Sequence, residues 1–270
     1  MKYLRNTFAM WLFVVLVTPY AQAVPITSDL TINGEVSFDI TSSLAEGNAI
    51  QTATLFSVLG GTNTNSTVSN TTVTGDNPKG GQLTDIGDGI GLSSSLESSG
   101  IGFSDVFAFD YAFQITNNSL SQDYTISFLA EFENSVNSEL DAFVESRFIL
   151  EDSSNTEFFF TDLSSDTLVG NEKNGNPTGN TGGVESDFGT FGFDIVVAAG
   201  QMLTFTGEVK LDGESFVNDS FMLSSNDSFI SILSVSGSGG STNPPNPVPS
   251  PYPALLFLAG CVGVVVRRVK

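Results

Sequence analysis

The chain has 270 residues, with 30 acidic and 9 basic side chains and a net charge of −21. It holds no histidine and a single cysteine, Cys261. This composition excludes Ser-His-Asp and Cys-His catalytic units, His or Cys zinc sites and an internal disulfide, and so acidic a surface repels phosphate backbones, which excludes nucleic acid as a partner.

The N-terminus carries Lys2 and Arg5, then an apolar run from Phe8 to Val17, then Ala21-Gln22-Ala23. Those are the three regions of a secretory signal peptide. Cleavage is expected after Ala23, with Val24 as the new terminus; a first transmembrane helix is disfavoured, because the run is short and ends in small residues. The exported body keeps only Lys79, Arg147, Lys173 and Lys210 against all 30 acids, a net charge of −26. Residues 24–235 are expected to form one domain, long enough to bury a core without disulfides.

Short alternating strands follow. Leu30 to Ile40 puts Ile32, Val36, Phe38 and Ile40 on one face, and Ile50 to Leu59 is a second strand. Residues 60–81 are Thr, Asn, Ser and Gly around Val68 and Val73, which predicts a long loop with one edge strand at most. Ile101 to Thr116 is the clearest strand. Ile101, Phe103, Phe107, Phe109, Tyr111, Phe113 and Ile115 share one parity; Ser104, Asp110, Gln114 and Thr116 take the other. That is period-2 alternation over sixteen residues. A turn over Asn117–Gln122 leads to Tyr124, Ile126, Phe128, Ala130 and Phe132, and the two strands are expected to form a central hairpin.

Residues 139–151 fit helical and strand spacing alike; the strand neighbours favour strand. Thr156 to Leu163 is an aromatic strand, and 170–183 a Gly/Asn-rich loop. Phe191, Phe193, Ile195 and Val197 alternate, then Leu203, Phe205, Val209 and Leu211, with Asp212-Gly213 expected as a hairpin turn. Ser215 to Leu223 and Phe229 to Val235 complete about ten strands. The pattern predicts an all-β fold, a single antiparallel β-sandwich of jelly-roll type. Its core would draw on most of the 23 phenylalanines.

Chemistry in this body rests on carboxylates. Glu131 and Glu133 share one strand face, with Glu145 on a neighbouring strand, an arrangement that two-carboxylate glycoside hydrolysis would use. They lie opposite Phe128 and Phe132 in parity, so a solvated face is the stronger reading and no catalytic residue is expected. Asp85, Asp88 and Gly89 form an acidic turn, and Asp212 with Glu214 a second acidic pair. Both are weak candidates for calcium, which takes oxygen ligands; neither has the spacing of a twelve-residue calcium loop, and no other cofactor is expected. Asn65, Asn70, Asn117, Asn218 and Asn226 head Asn-x-Ser/Thr triplets, the acceptor pattern for surface glycosylation.

Residues 236–246, SGSGGSTNPPN, read as a linker. The last segment, 247–270, has three parts in fixed order: a proline cluster with Val248, Pro249, Ser250 and Pro251; an apolar run from Ala254 to Val266; and a basic stop of Arg267, Arg268 and Lys270. The run predicts a transmembrane helix over 254–266. As helix it spans about 20 Å, short for a bilayer core of about 30 Å. The basic stop favours the cytoplasmic side.

This tail resembles the PEP-CTERM sorting signal of exported bacterial proteins, whose core reads Val-Pro-Glu-Pro. Val248, Pro249 and Pro251 match, and Ser250 stands where the family has Glu. The resemblance covers about a tenth of the chain. It implies an exosortase-type membrane enzyme as partner, transient anchoring in the inner membrane, tail removal, and delivery to the cell surface or the extracellular polysaccharide matrix. The function expected on that basis is non-enzymatic. The alternatives are a carbohydrate-binding, lectin-like module, calcium-assisted or not, and a glycosidase; an ordinary tail anchor competes with the sorting reading.

Overall fold

The structure is a computed structural model that describes residues 24–238. The signal peptide expected over 1–23 and the segment expected as linker end, sorting tail and apolar helix lie outside the described residues.

Every regular element among the described residues is a strand. In chain order they are β1 (Leu30–Phe38), β2 (Glu46–Gly47), β3 (Ile50–Leu59), β4 (Thr62–Ser69), β5 (Thr72–Thr74), β6 (Lys79–Leu83), β7 (Gly89–Ser99) and β8 (Gly102–Asn117). Then come β9 (Tyr124–Glu139), β10 (Ala142–Asp152), β11 (Glu157–Asp166), β12 (Glu172–Lys173), β13 (Asn176–Pro177), β14 (Gly183–Val197), β15 (Met202–Ser215) and β16 (Phe221–Gly237). They form two antiparallel sheets. Sheet I has the order β13-β12-β11-β10-β15-β8-β1-β6, with β2 beside β8; sheet II has the order β14-β9-β16-β7-β3-β4-β5. The sheets pack face to face, and the expected all-β sandwich is what the chain forms.

Alternation builds the core. In β1 the side chains of Leu30, Ile32, Val36 and Phe38 are buried between the sheets, while Asn33 and Glu35 face outward. Phe113 stacks on Phe205 of the adjacent strand at 4.4 Å, and Phe128 of sheet II meets both rings edge-on, at 5.9 and 5.1 Å. Burying each such ring contributes about 1.5–3 kcal/mol. Polar side chains bridge the sheets elsewhere. Asn134 Nδ2 donates to Ser146 O at 3.0 Å, Ser146 Oγ donates back to Asn134 Oδ1, and Ser138 bonds Ser165 at 2.9 Å. These groups lie away from water, so the bonds offset their desolvation.

The structure corrects several expectations. Residues 60–81 are not one long loop: they hold β4, β5 and the start of β6, because the Thr and Asn of β4 pair their backbones with β3 and β5, and β4 buries only Ser66 and Val68. β8 and β9 do not form a hairpin. β8 lies in sheet I and β9 in sheet II, so the 117–122 turn crosses the sandwich. Asn117 holds that crossing, its Nδ2 donating to Gln122 O and Val197 O.

β8 does not keep one parity. A bulge opposite Leu211–Gly213 adds a residue, which turns Ser104 inward and leaves Ile101 and Phe103 exposed. Such a bulge leaves two residues opposing one and flips the alternation. Asp212-Gly213 is not a turn but part of β15. Gly213 is required by close packing: a Cβ there would lie 2.9 Å from Phe143 O and 3.0 Å from Met222 Sδ. β1 ends at Phe38, so Ile40 is 84% exposed. Residues 215–223 are not one strand: Ser215 ends β15, a turn follows, and β16 starts only at Phe221. The ambiguous 139–151 segment is strand, as β10.

Candidate functional site

Asp88, a calcium candidate by sequence, serves the fold as a latch. It is buried; its Oδ1 accepts from Gly60 N at 2.7 Å, and its Oδ2 from Thr84 N at 2.8 Å and Asp85 N at 3.0 Å. One carboxylate thus ties the β3–β4 turn to the β6–β7 turn. Asp85 turns its own carboxylate to Thr84 Oγ1, at 2.9 Å. Val24, the expected mature terminus, leads into this corner and accepts from Ile86 N at 2.9 Å.

Asp212 and Glu214 share the outer face of sheet I, two residues apart on β15. Asp212 sits directly opposite Glu145 of β10. Burial pushes the Asp212 carboxyl up to about 6, with Lys210 opposing and Asp105 and Asp162 assisting. Burial and then the Asp212 charge push Glu145 up to about 7, helped by Asp162 and opposed by Lys210. Two carboxyls placed directly opposite each other titrate as a pair.

Two further acid pairs stand in register. Asp110 faces Glu208, and burial, Asp39 and Glu208 raise it; Asp227 faces Glu133, and burial raises it against a bond from Ser93. Like charges placed directly opposite each other destabilise a sheet.

The glycosidase arrangement does not assemble. Glu131 and Glu133 lie on β9 in sheet II and Glu145 on β10 in sheet I, so they are not neighbours across a cleft. The glycosylation triplets separate by burial: Asn65 and Asn218 are exposed, Asn70 is half-buried, and Asn117 and Asn226 are buried and closed to a glycan. Among the described residues no group of three or more acids is arranged to hold a metal ion. Ala21, Ala23, Val248, Pro249, Ser250, Pro251, Arg267, Arg268 and Lys270 lie outside the described residues.

One surface escaped the sequence reading. A trough of about 550 Å³ crosses the outer face of sheet I. Asn33, Gln114 and Thr204 form one cross-strand row, and Glu35, Ala112 and Thr206 the next. Ala112 supplies the depth. Phe113 and Phe205 turn their rings to the core, so they offer backbone to the floor beside Gly34 and Gly81. Among the described residues, none of the five polar side chains bonds to another protein group. The outward parity of each was legible, but their convergence from β1, β8 and β15 was not.

No protein-family model matches the chain, and no curated protein matches it in sequence. Solved structures that resemble it include infectious bursal disease virus of the Gx strain, at 13% identity and a TM-score of 0.20 over 78% of this chain and 57% of that one. A VP2 subviral particle of the same virus resembles it at 8% identity and a TM-score of 0.19, over 88% and 72%. The chain spans little more than half the length of the first. Scores this low transfer nothing to this protein.

Proposed function

We propose that this chain is a non-enzymatic exported protein of the bacterial envelope or extracellular polysaccharide matrix, routed by a signal peptide and a PEP-CTERM-like tail. The observation that carries the reading is the fixed order of proline cluster, short apolar run and basic stop at residues 247–270. An apolar run shorter than the bilayer core suits a temporary tether, because mismatch carries a cost per ångström. A Ser/Gly/Pro-rich sequence precedes Val248–Pro251, the composition of linkers that processing enzymes can reach. The non-enzymatic reading is supported by the missing histidine and by the separation of Glu131 and Glu133 from Glu145.

Intact-mass measurement on protein recovered from its host tests this. The expected species starts at Val24 and lacks the tail. A surface form still ending at Lys270 refutes processing and leaves a simple anchor. Changing Pro249 and Pro251 to Ala should retain unprocessed protein at the membrane.

The trough favours a second reading, a lectin-like module for exopolysaccharide. Its amides, hydroxyls and carboxylate offer both donors and acceptors, the pairing that sugar hydroxyls require. Binding to host exopolysaccharide, lost in Asn33→Ala with Gln114→Ala, would support it; calcium and chelator arms would show whether the ion assists. Release of reducing sugar from that polymer would favour a glycosidase over both readings.

A further inference from the structure

Each sheet of this sandwich has two terminal strands. Three of the four are short: β5 has 3 residues, β6 has 5 and β13 has 2. The fourth, β14, has 15 residues and pairs only with β9. A long unpaired edge presents a row of free backbone donors and acceptors, which folded proteins ordinarily blunt or fill.

The start of β14 is covered. Lys173 Nζ donates to Ser186 O at 2.9 Å and pairs with Asp187 at 2.9 Å, and Gly182 N donates to Asp166 O. These bonds fix the parity: backbone groups of the even-numbered residues point away from β9, since a residue's N–H and C=O share one side of a strand. From Phe188 to Val196 no described residue bonds those outward groups. This free stretch, FGTFGFDIV, carries one charge, Asp194. Phe188 is 74% and Val196 61% exposed. On the inner side Phe191 and Phe193 are half-buried against Phe159 and Phe158, at 4.9 and 5.0 Å.

We propose that the free edge of β14 is a homotypic interface, on which a second copy of this chain adds its own β14 as an antiparallel neighbour. A two-fold axis normal to the sheet makes this isologous contact and joins two copies of sheet II into one. That symmetry keeps outer face on outer face, so each residue meets one of its own parity. Centred on Phe191, the register sets Phe191 against Phe191, Gly189 against Phe193 and Thr190 against Gly192. Each glycine gap is filled by a side chain of the other copy, and the aromatic layer continues across the join. Asp187 meets Ile195 and Asp194 meets Phe188, so no acid faces an acid. The eight outward-facing backbone groups of Phe188, Thr190, Gly192 and Asp194 are then paired, and pairing stops where Lys173 already caps Ser186.

A self-matching edge with a single acid favours a second copy over a basic partner strand, and the charge of the two bodies predicts the salt response. The bodies repel through their net charge of −26 each. Added salt screens that repulsion, with a Debye length of about 10 Å at 0.1 M and about 3 Å at 1 M. The inference concerns the folded body and does not depend on the sorting reading.

The test is sedimentation of the full chain in mild detergent at low and high salt. A monomer–dimer equilibrium that shifts toward dimer as salt rises is expected. Thr190→Pro removes an N–H that bonds no described residue, so the variant should melt as wild type does yet remain monomeric. Thr190→Lys places a charge at the same point and should also remain monomeric if the proline unsettles β14. A monomer under all conditions overturns the proposal. So does a dimer that survives both variants, since it would form through the tail or another surface. Association that weakens with salt, or that requires a different protein, likewise assigns the edge to another occupant and overturns it.

Discussion

Replacing Asp88 by Ala removes the acceptor of three backbone N–H groups, those of Gly60, Thr84 and Asp85. A hydrogen bond to a charged acceptor contributes about 1.5–3 kcal/mol. The freed donors lie on turns and recover some water, so the loss falls short of the full sum. About 3–5 kcal/mol is expected. Asp88→Asn should fail to rescue: one side of the amide still accepts, but its NH₂ then faces backbone donors. Urea denaturation of wild type and both variants measures this, with an unchanged m-value confirming a pure stability effect. An Asn variant as stable as wild type would sink the latch argument. Calcium supplies a second check. Stabilisation of wild type by millimolar calcium that disappears in Asp88→Asn would make this carboxylate a cation ligand instead.

Phe113→Ala should cost about 3–5 kcal/mol, since it opens a cavity beneath Phe205 and Phe128, whereas Gln114→Ala on the outer face should stay within about 0.5 kcal/mol in the same melts. Equal effects would mean that the strand faces are reversed. Gly91→Ala should cost about 1–3 kcal/mol, because its Cβ would lie 2.1 Å from the Phe56 ring and displace it from Phe229; a neutral outcome in a thermal scan refutes that packing. Glu145 and Asp212 have carboxyls raised to about 7 and about 6, from ordinary values of 4.5 and 3.8. The folded state therefore binds their protons more tightly than the unfolded state. The stability they contribute is full below about pH 4 and is lost as the pH rises to about 7. Glu145→Gln should flatten that decline in melting temperature between pH 4 and 7.5, and a slope equal to that of wild type would refute the assignment.

The strands were legible wherever period 2 was carried by large apolar residues, as in β1, β8, β9 and β15. They were illegible where Thr, Asn and Ser pair by backbone alone, as in β4 and β5, because those side chains report turn chemistry and strand edges alike. The acidic body and the absence of histidine were likewise plain, and they removed most catalytic chemistries before any fold was considered. Glu131, Glu133 and Glu145 show the limit. Their outward parity is local and legible in the sequence, but their placement on the outer faces of two different sheets is not.

The sequence by itself determined which side of most strands turns to the core, because alternation is a local property of the backbone. Only the tertiary structure decided which strands lie together. The 117–122 turn crosses between sheets where adjacency in sequence suggested a hairpin. The bulge near the start of β8 turns Ser104 inward and Phe103 outward, and the trough and the acid pairs each join residues from distant segments. Long-range pairing is fixed by how two apolar faces close on one another, and that energy belongs to no single stretch of chain.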